Sequence, residues 1–206
     1  RSTLDRSSAA SDVYKRQHEA IRRGQTKYTA VDGKRSLKEA IIVKFQRDNA
    51  LTFKPNQILS SSGGKQSCYN ACQVLMGPGD EAIIPAPHWV SFPDMVRLTD
   101  AEPIIVETDG RNGFRLRPEQ LAEAISNRTR ALIINSPCNP TGSAYARADW
   151  EALGEVLAVN PNVFVITDDM YEHIYWGSEP FCSLLTACPE LAERTLTVNG
   201  QSLIHI

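Results

Sequence analysis

Ala131-Leu132-Ile133-Ile134-Asn135-Ser136-Pro137-Cys138-Asn139-Pro140-Thr141-Gly142 carries the decision on the fold. An unbroken apolar run passes directly into a segment with two prolines and a glycine. Apolar residues on consecutive positions bury both faces of a strand, as in a parallel sheet covered on two sides. The prolines and glycine make the segment after the strand a rigid loop. Ligands of such sheets collect beyond the carboxyl ends of the strands. Asn139 therefore stands where an amide can be aimed with little loss of entropy; a generic Asn-Pro turn is the plain alternative.

Outward from this stretch the pattern repeats. Ala82-Ile83-Ile84-Pro85 and Val163-Phe164-Val165-Ile166 have the same buried-strand character. Strands are expected over residues 57–60, 81–86, 103–107, 131–135, 163–167 and 195–198. Helices are expected over 34–51, 65–76, 89–99, 117–127, 147–159 and 184–193. Strands separated by helices of roughly 10–15 residues imply crossovers, hence a three-layer α/β/α fold with a mostly parallel sheet. Residues 1–17 are polar, lack a periodic apolar face, and read as a non-native or disordered segment. Residues 18–200 read as one partial domain, and 201–206 as a non-native tail.

The balance of 42% hydrophobic and 22% charged residues is that of a globular domain, and the net charge of −2 gives no global field for nucleic acid or anionic membrane. No apolar run approaches the roughly 18 residues of a membrane helix, and no signal core opens the chain, so a cytoplasmic protein is expected. Cys68, Cys72, Cys138, Cys182 and Cys188 form no CxxC pair and read as reduced thiols in or near a core, although Cys68 and Cys72 are four apart on a helix. No zinc spacing joins them to the four histidines, and no metal is expected.

Three further motifs follow strands. Ser61-Ser62-Gly63-Gly64-Lys65-Gln66 opens a helix, where free N–H groups and a dipole end favour a phosphate. It matches neither a Walker A loop nor GxGxxG, and a plain turn competes. Pro85-Ala86-Pro87-His88-Trp89 offers an indole that either fills core or stacks on a flat ligand. Thr167-Asp168-Asp169-Met170-Tyr171-Glu172-His173 puts a carboxylate at the end of an apolar strand, which is costly without a cationic partner. Magnesium on the two adjacent acids is the competing reading.

Taken in this order, and with Thr26-Lys27-Tyr28-Thr29 and Thr195-Leu196-Thr197-Val198-Asn199-Gly200, these stretches resemble class I aminotransferases of fold type I, most closely the bacterial aspartate aminotransferase branch. The resemblance runs from about residue 17 to 200. It implies an incomplete large domain of a pyridoxal-phosphate enzyme that moves an amino group between an amino acid, by default aspartate, and a 2-oxo acid such as 2-oxoglutarate. By the resemblance, Gly63, Gly64 and Lys65 hold the cofactor phosphate, Trp89 stacks on the pyridine ring, and Asn139 and Tyr171 bond its phenolic oxygen. Asp168 pairs with the ring nitrogen. Tyr28 reaches the neighbouring subunit's cofactor, which implies a homodimer. Asp168 and Tyr171 are the expected catalytic residues.

The family also expects a Schiff-base lysine a few residues after Asn199-Gly200. Residues 201–206, Gln-Ser-Leu-Ile-His-Ile, contain none, so the chain as it stands is expected to be inactive alone. Other readings remain open at this point: a lyase or synthase of the same fold, a pyridoxal-phosphate sensor domain of a transcription regulator, or a nucleotide-binding α/β protein.

Overall fold

The computed structural model describes residues 3–200; the tail at 201–206, expected to be non-native, lies outside the described residues. Among the described residues five strands form the sheet: β1 Glu81–Ala86, β2 Glu102–Glu107, β3 Thr129–Asn135, β4 Phe164–Asp168 and β5 Thr195–Val198. Their order is β2-β1-β3-β4-β5, and all four pairings are parallel. The central strands β1, β3 and β4 are buried along most of their length, as their unbroken apolar runs require, while β2 at the edge alternates.

Seven α-helices accompany the sheet among the described residues: α1 Thr3–Arg22, α2 Arg35–Asn49, α3 Gly64–Leu75, α4 Ser91–Arg97, α5 Pro118–Ala124, α6 Arg147–Ala158 and α7 Leu184–Ala187. Alternate strand side chains feed two separate cores. Ile83, Leu132, Ile134 and Val165 pack with Leu121, Trp150 and Leu157 from α5 and α6. Ala82, Ile84, Ile133 and Ile166 pack with Cys68 and Cys72 of α3 and with Phe92 and Met95 of α4. Helices therefore cover both faces, giving the three-layer α/β/α arrangement. Cys68 and Cys72 are free, buried core thiols, and burial pushes both well above the ordinary thiol range.

Several expected elements differ. Residues 57–60 form no strand. Pro55–Gln57 is a 3₁₀ turn, closed by the Gln57 amide oxygen on the Lys54 N–H, and beyond it the Ser60 N–H bonds only to the Asp32 carbonyl. The helix expected over 184–193 breaks at Cys188, because Pro189 has no N–H to extend it, and continues as a 3₁₀ segment, Pro189–Arg194. The helix expected over 117–127 stops at Ala124. Residues Thr3–Arg22 form α1, whose described side chains are exposed apart from that of Ala20.

The strand order turns at β1 and β3: the chain leaves β1 toward β2 on one side and returns to β3 on the other. Ligands of open α/β sheets collect at such a reversal, beyond the carboxyl ends of the strands. That end of the sheet carries Trp89, Asn139 and Asp168.

Candidate active site

The β3 and β4 ends are tied before any ligand is considered. Asn135 and Asp168 are register partners, and the Asn135 Nδ2 donates to the Asp168 carbonyl at 2.6 Å. Asn135 Oδ1 accepts the Asn139 N–H, also at 2.6 Å. One buried amide thus holds both the end of β4 and the rigid loop that presents Asn139. The Cys138 thiol, donating to the Pro87 carbonyl at 3.4 Å, ties that loop to the loop after β1.

Asp168 is 8% exposed, and its carboxylate accepts one hydrogen bond, from the Met170 N–H at 3.2 Å. Burial pushes this carboxyl up to about 6, against the pull of that N–H. A carboxylate this dry, with a single neutral donor, is an acceptor for a cationic group. Asp169 is buried separately, with the Thr167 hydroxyl donating to it at 2.7 Å and its other oxygen unpartnered. Burial, aided by the Glu172 and Asp168 charges, pushes it up to about 7 despite that hydroxyl. The two acids therefore keep different company. Among the described residues, the group with metal-ligand proximity is Asp48, Glu172 and His173, not the Asp168-Asp169 pair, and the Lys44 ammonium already neutralises Glu172 there.

The glycine turn opens α3, which packs against β4 and β5. Gly63 has φ 94°, a conformation open to glycine and strained for other residues, and it delivers the chain into α3 at Gly64. Gly64 abuts the Met170 methyl so closely that a Cβ there would overlap it, and a Cβ on Gly200 would fall 2.7 Å from the same atom. Met170 thus wedges between the start of α3 and the end of β5. The Lys65 ammonium sits 4.9 Å from the centroid of the Trp89 ring, and Trp89 packs edge-on against Phe92.

Asn139 and Tyr171 line one groove of about 380 Å³ together with Pro137, Cys138, Tyr175 and Trp176. Asp168, Trp89 and Gly64 do not line it; they join the site through the sheet end, Met170 and the Lys65–Trp89 contact. Tyr28 is fully exposed, and among the described residues no hydrogen bond or cavity joins it to these loops. Sequence reasoning missed Asn135 and Met170. The first carried a signal, a polar residue closing a fully apolar strand; the second carried none.

The α/β unit thus carries a glycine turn at a helix N-terminus, an indole, an amide and a phenol on its loops, and a buried acid at a strand end. Known proteins narrow this. Residues 3–202 match the family model for aminotransferase class I and II, and the chain belongs to that family. It is 51% identical over 183 residues to an aspartate/prephenate aminotransferase of Nitrosomonas europaea, covering 89% of this chain and 46% of that protein. The crystal structure of the aspartate aminotransferase from Rhizobium meliloti superimposes with a TM-score of 0.87 at 46% identity, over 94% of this chain and 47% of that one. An aromatic aminotransferase from Pyrococcus horikoshii OT3 gives 0.86 at 33% identity, over 92% and 50%. The chain spans a little under half the length of the curated relatives it matches.

Proposed function

We propose that the protein to which this chain belongs is a pyridoxal-phosphate-dependent aminotransferase, with aspartate as amino donor and a 2-oxo acid such as 2-oxoglutarate as acceptor. The observation that carries the reading is Asp168: a buried carboxylate at the end of β4 with one N–H donor and, among the described residues, no cation of its own. The names of the relatives, aspartate and aspartate/prephenate aminotransferases, support the donor.

The residues present fit the cofactor. Asp168 supplies the charge that would keep a ring nitrogen protonated. Gly63, Gly64 and the backbone of Lys65 supply a helix N-terminus for the phosphate. Trp89 offers a ring face, and Asn139 and Tyr171 offer donors to a phenolic oxygen. When bound, pyridoxal phosphate supplies the electron sink that stabilises the carbanion left when the substrate's alpha proton is removed. The chain's own part is to orient that ring, hold its charge and exclude water around Asp168. Tyr28, fully exposed here, serves the neighbouring site of a homodimer in this reading. A cytoplasmic protein is part of it too, in keeping with five unpaired cysteines.

The test is steady-state turnover of the full-length protein with aspartate and 2-oxoglutarate, alongside pyridoxal-phosphate titration followed by absorbance and by tryptophan fluorescence, with Trp89→Phe identifying the Trp89 share. Cofactor-dependent amino transfer supports the reading. Absence of both binding and transfer in a folded protein removes it.

A further inference from the structure

Directly after Tyr171 stands Glu172, a carboxylate with a side chain only 3% exposed. It is held from a distant part of the chain. Asn49, the last residue of α2, donates its Nδ2 to Glu172 Oε2 at 2.9 Å across 123 residues of sequence. Lys44, a turn earlier on the same helix, ion-pairs with Glu172 Oε1 and donates to Asn49 Oδ1 at 3.0 Å. The helix end is itself pinned, because the Thr186 hydroxyl donates to the Asn49 carbonyl at 2.9 Å. His173 Nε2 faces the same carboxylate at 3.2 Å, and Asp48 lies behind it.

A buried ion pair is a poor source of net stability, because desolvation offsets most of the attraction; geometry is its better-attested use. Here the geometry concerns Tyr171. The Glu172 N–H bonds to the Asp169 carbonyl at 3.1 Å, and the Ile174 N–H to the Tyr171 carbonyl at 2.8 Å. Tyr171 and Glu172 are therefore the two residues shared by overlapping turns over 169–172 and 171–174, the first closed by the Glu172 N–H and the second by the Tyr171 carbonyl. Tyr171 is half-buried on the groove wall, and no side-chain hydrogen bond of its own is seen among the described residues.

We propose that Glu172, clasped by Asn49 and Lys44, is the positioning residue that fixes the Tyr171 phenol, so that helix α2 sets the aim of a donor on the cofactor's phenolic oxygen. This rests on the role proposed for Tyr171 toward that oxygen. Loosening the clasp weakens that donor, and a weaker donor raises the proton affinity of the bound cofactor's chromophore.

The experiment is a pH titration of the cofactor's visible absorbance in the full-length, cofactor-loaded protein, with thermal melting in parallel. Tyr171→Phe is the reference and raises the titration midpoint. Glu172→Ala and Asn49→Ala raise it in the same direction by about half a unit or more. Glu172→Gln, which keeps an acceptor for Asn49, recovers most of the shift. Glu172→Ala added to Tyr171→Phe gives no further shift, as expected of a residue acting through another. Should Glu172→Ala fail to fold, Asn49→Ala opens the same clasp from its other side. If Tyr171→Phe moves the midpoint while the clasp variants change only the melting temperature, Glu172 is merely structural and the proposal is overturned. If Tyr171→Phe itself leaves the midpoint in place, the role of Tyr171 falls, and this inference with it.

Discussion

The side chain of Asn135 bonds both the carbonyl of Asp168, across the β3–β4 pairing, and the backbone N–H of Asn139 in the loop ahead of it. A single buried amide therefore sets the spacing between the acid and the amide of the candidate site. Asn135→Ala leaves the half-buried Asn139 N–H without its partner and the Asp168 carbonyl with only the Ser136 N–H, which costs about 1–3 kcal/mol. Urea denaturation reads that loss. The same variant binds pyridoxal phosphate more weakly; unchanged affinity with lowered stability would separate the strut from the site.

Asp168→Ala leaves folding largely intact, because it removes a buried carboxyl that has one hydrogen bond. In the full-length protein, under the proposed aminotransferase function, it lowers turnover by on the order of a hundredfold or more, equivalent to about 2.7 kcal/mol of barrier. Melting curves and steady-state kinetics check the two halves. Near-normal turnover in a folded variant contradicts the assignment.

The unliganded protein loses stability as pH rises from about 4 to about 7. Asp168 and Asp169 are both held above their ordinary 3.8 in the folded chain, by burial first. The folded state then binds protons more tightly than the unfolded state, so the stabilisation is present in acid and lost as pH passes the folded values. For Asp168 alone the change is on the order of 3 kcal/mol. Urea midpoints between about pH 4.5 and about pH 8 measure it, and Asp168→Asn flattens the Asp168 share. A profile that rises with pH across this window contradicts the burial of the two acids.

Gly64→Ala brings a methyl into the space of the Met170 methyl. Overpacking of this kind costs about 1–3 kcal/mol, reduced by whatever room the flexible thioether can yield. Met170→Ala in the same chain restores part of the loss, and a double-mutant cycle by denaturation reports the coupling. Additive effects would mean that the two residues do not meet.

Much of the fold was legible. Three strands whose side chains are buried on both faces announce themselves as unbroken apolar runs, and the turn chemistry of Gly77-Pro78-Gly79-Asp80 marks where α3 gives way to β1. Residues 57–60 misled because a short apolar run carries no information about whether a partner strand lies beside it. The helix expected over 184–193 misled because its apolar period continues past the proline that ends it. Within the site, residue types after strands pointed to Trp89, Asn139 and Asp168. Their mutual support did not show, because Asn135, Met170 and the α2 clasp act through contacts between distant segments.

The linear sequence by itself determined that this is a parallel α/β chain with its polar chemistry following its strands, since hydrophobic periodicity and turn residues are local properties. Only the tertiary structure decided which groups share an environment. Asp168 and Asp169 are neighbours in the chain, yet one is held by the Met170 N–H and the other by Thr167 beside the Lys44–Glu172 pair. Burial and hydrogen bonding depend on what the fold brings near, and no order of residues states that directly.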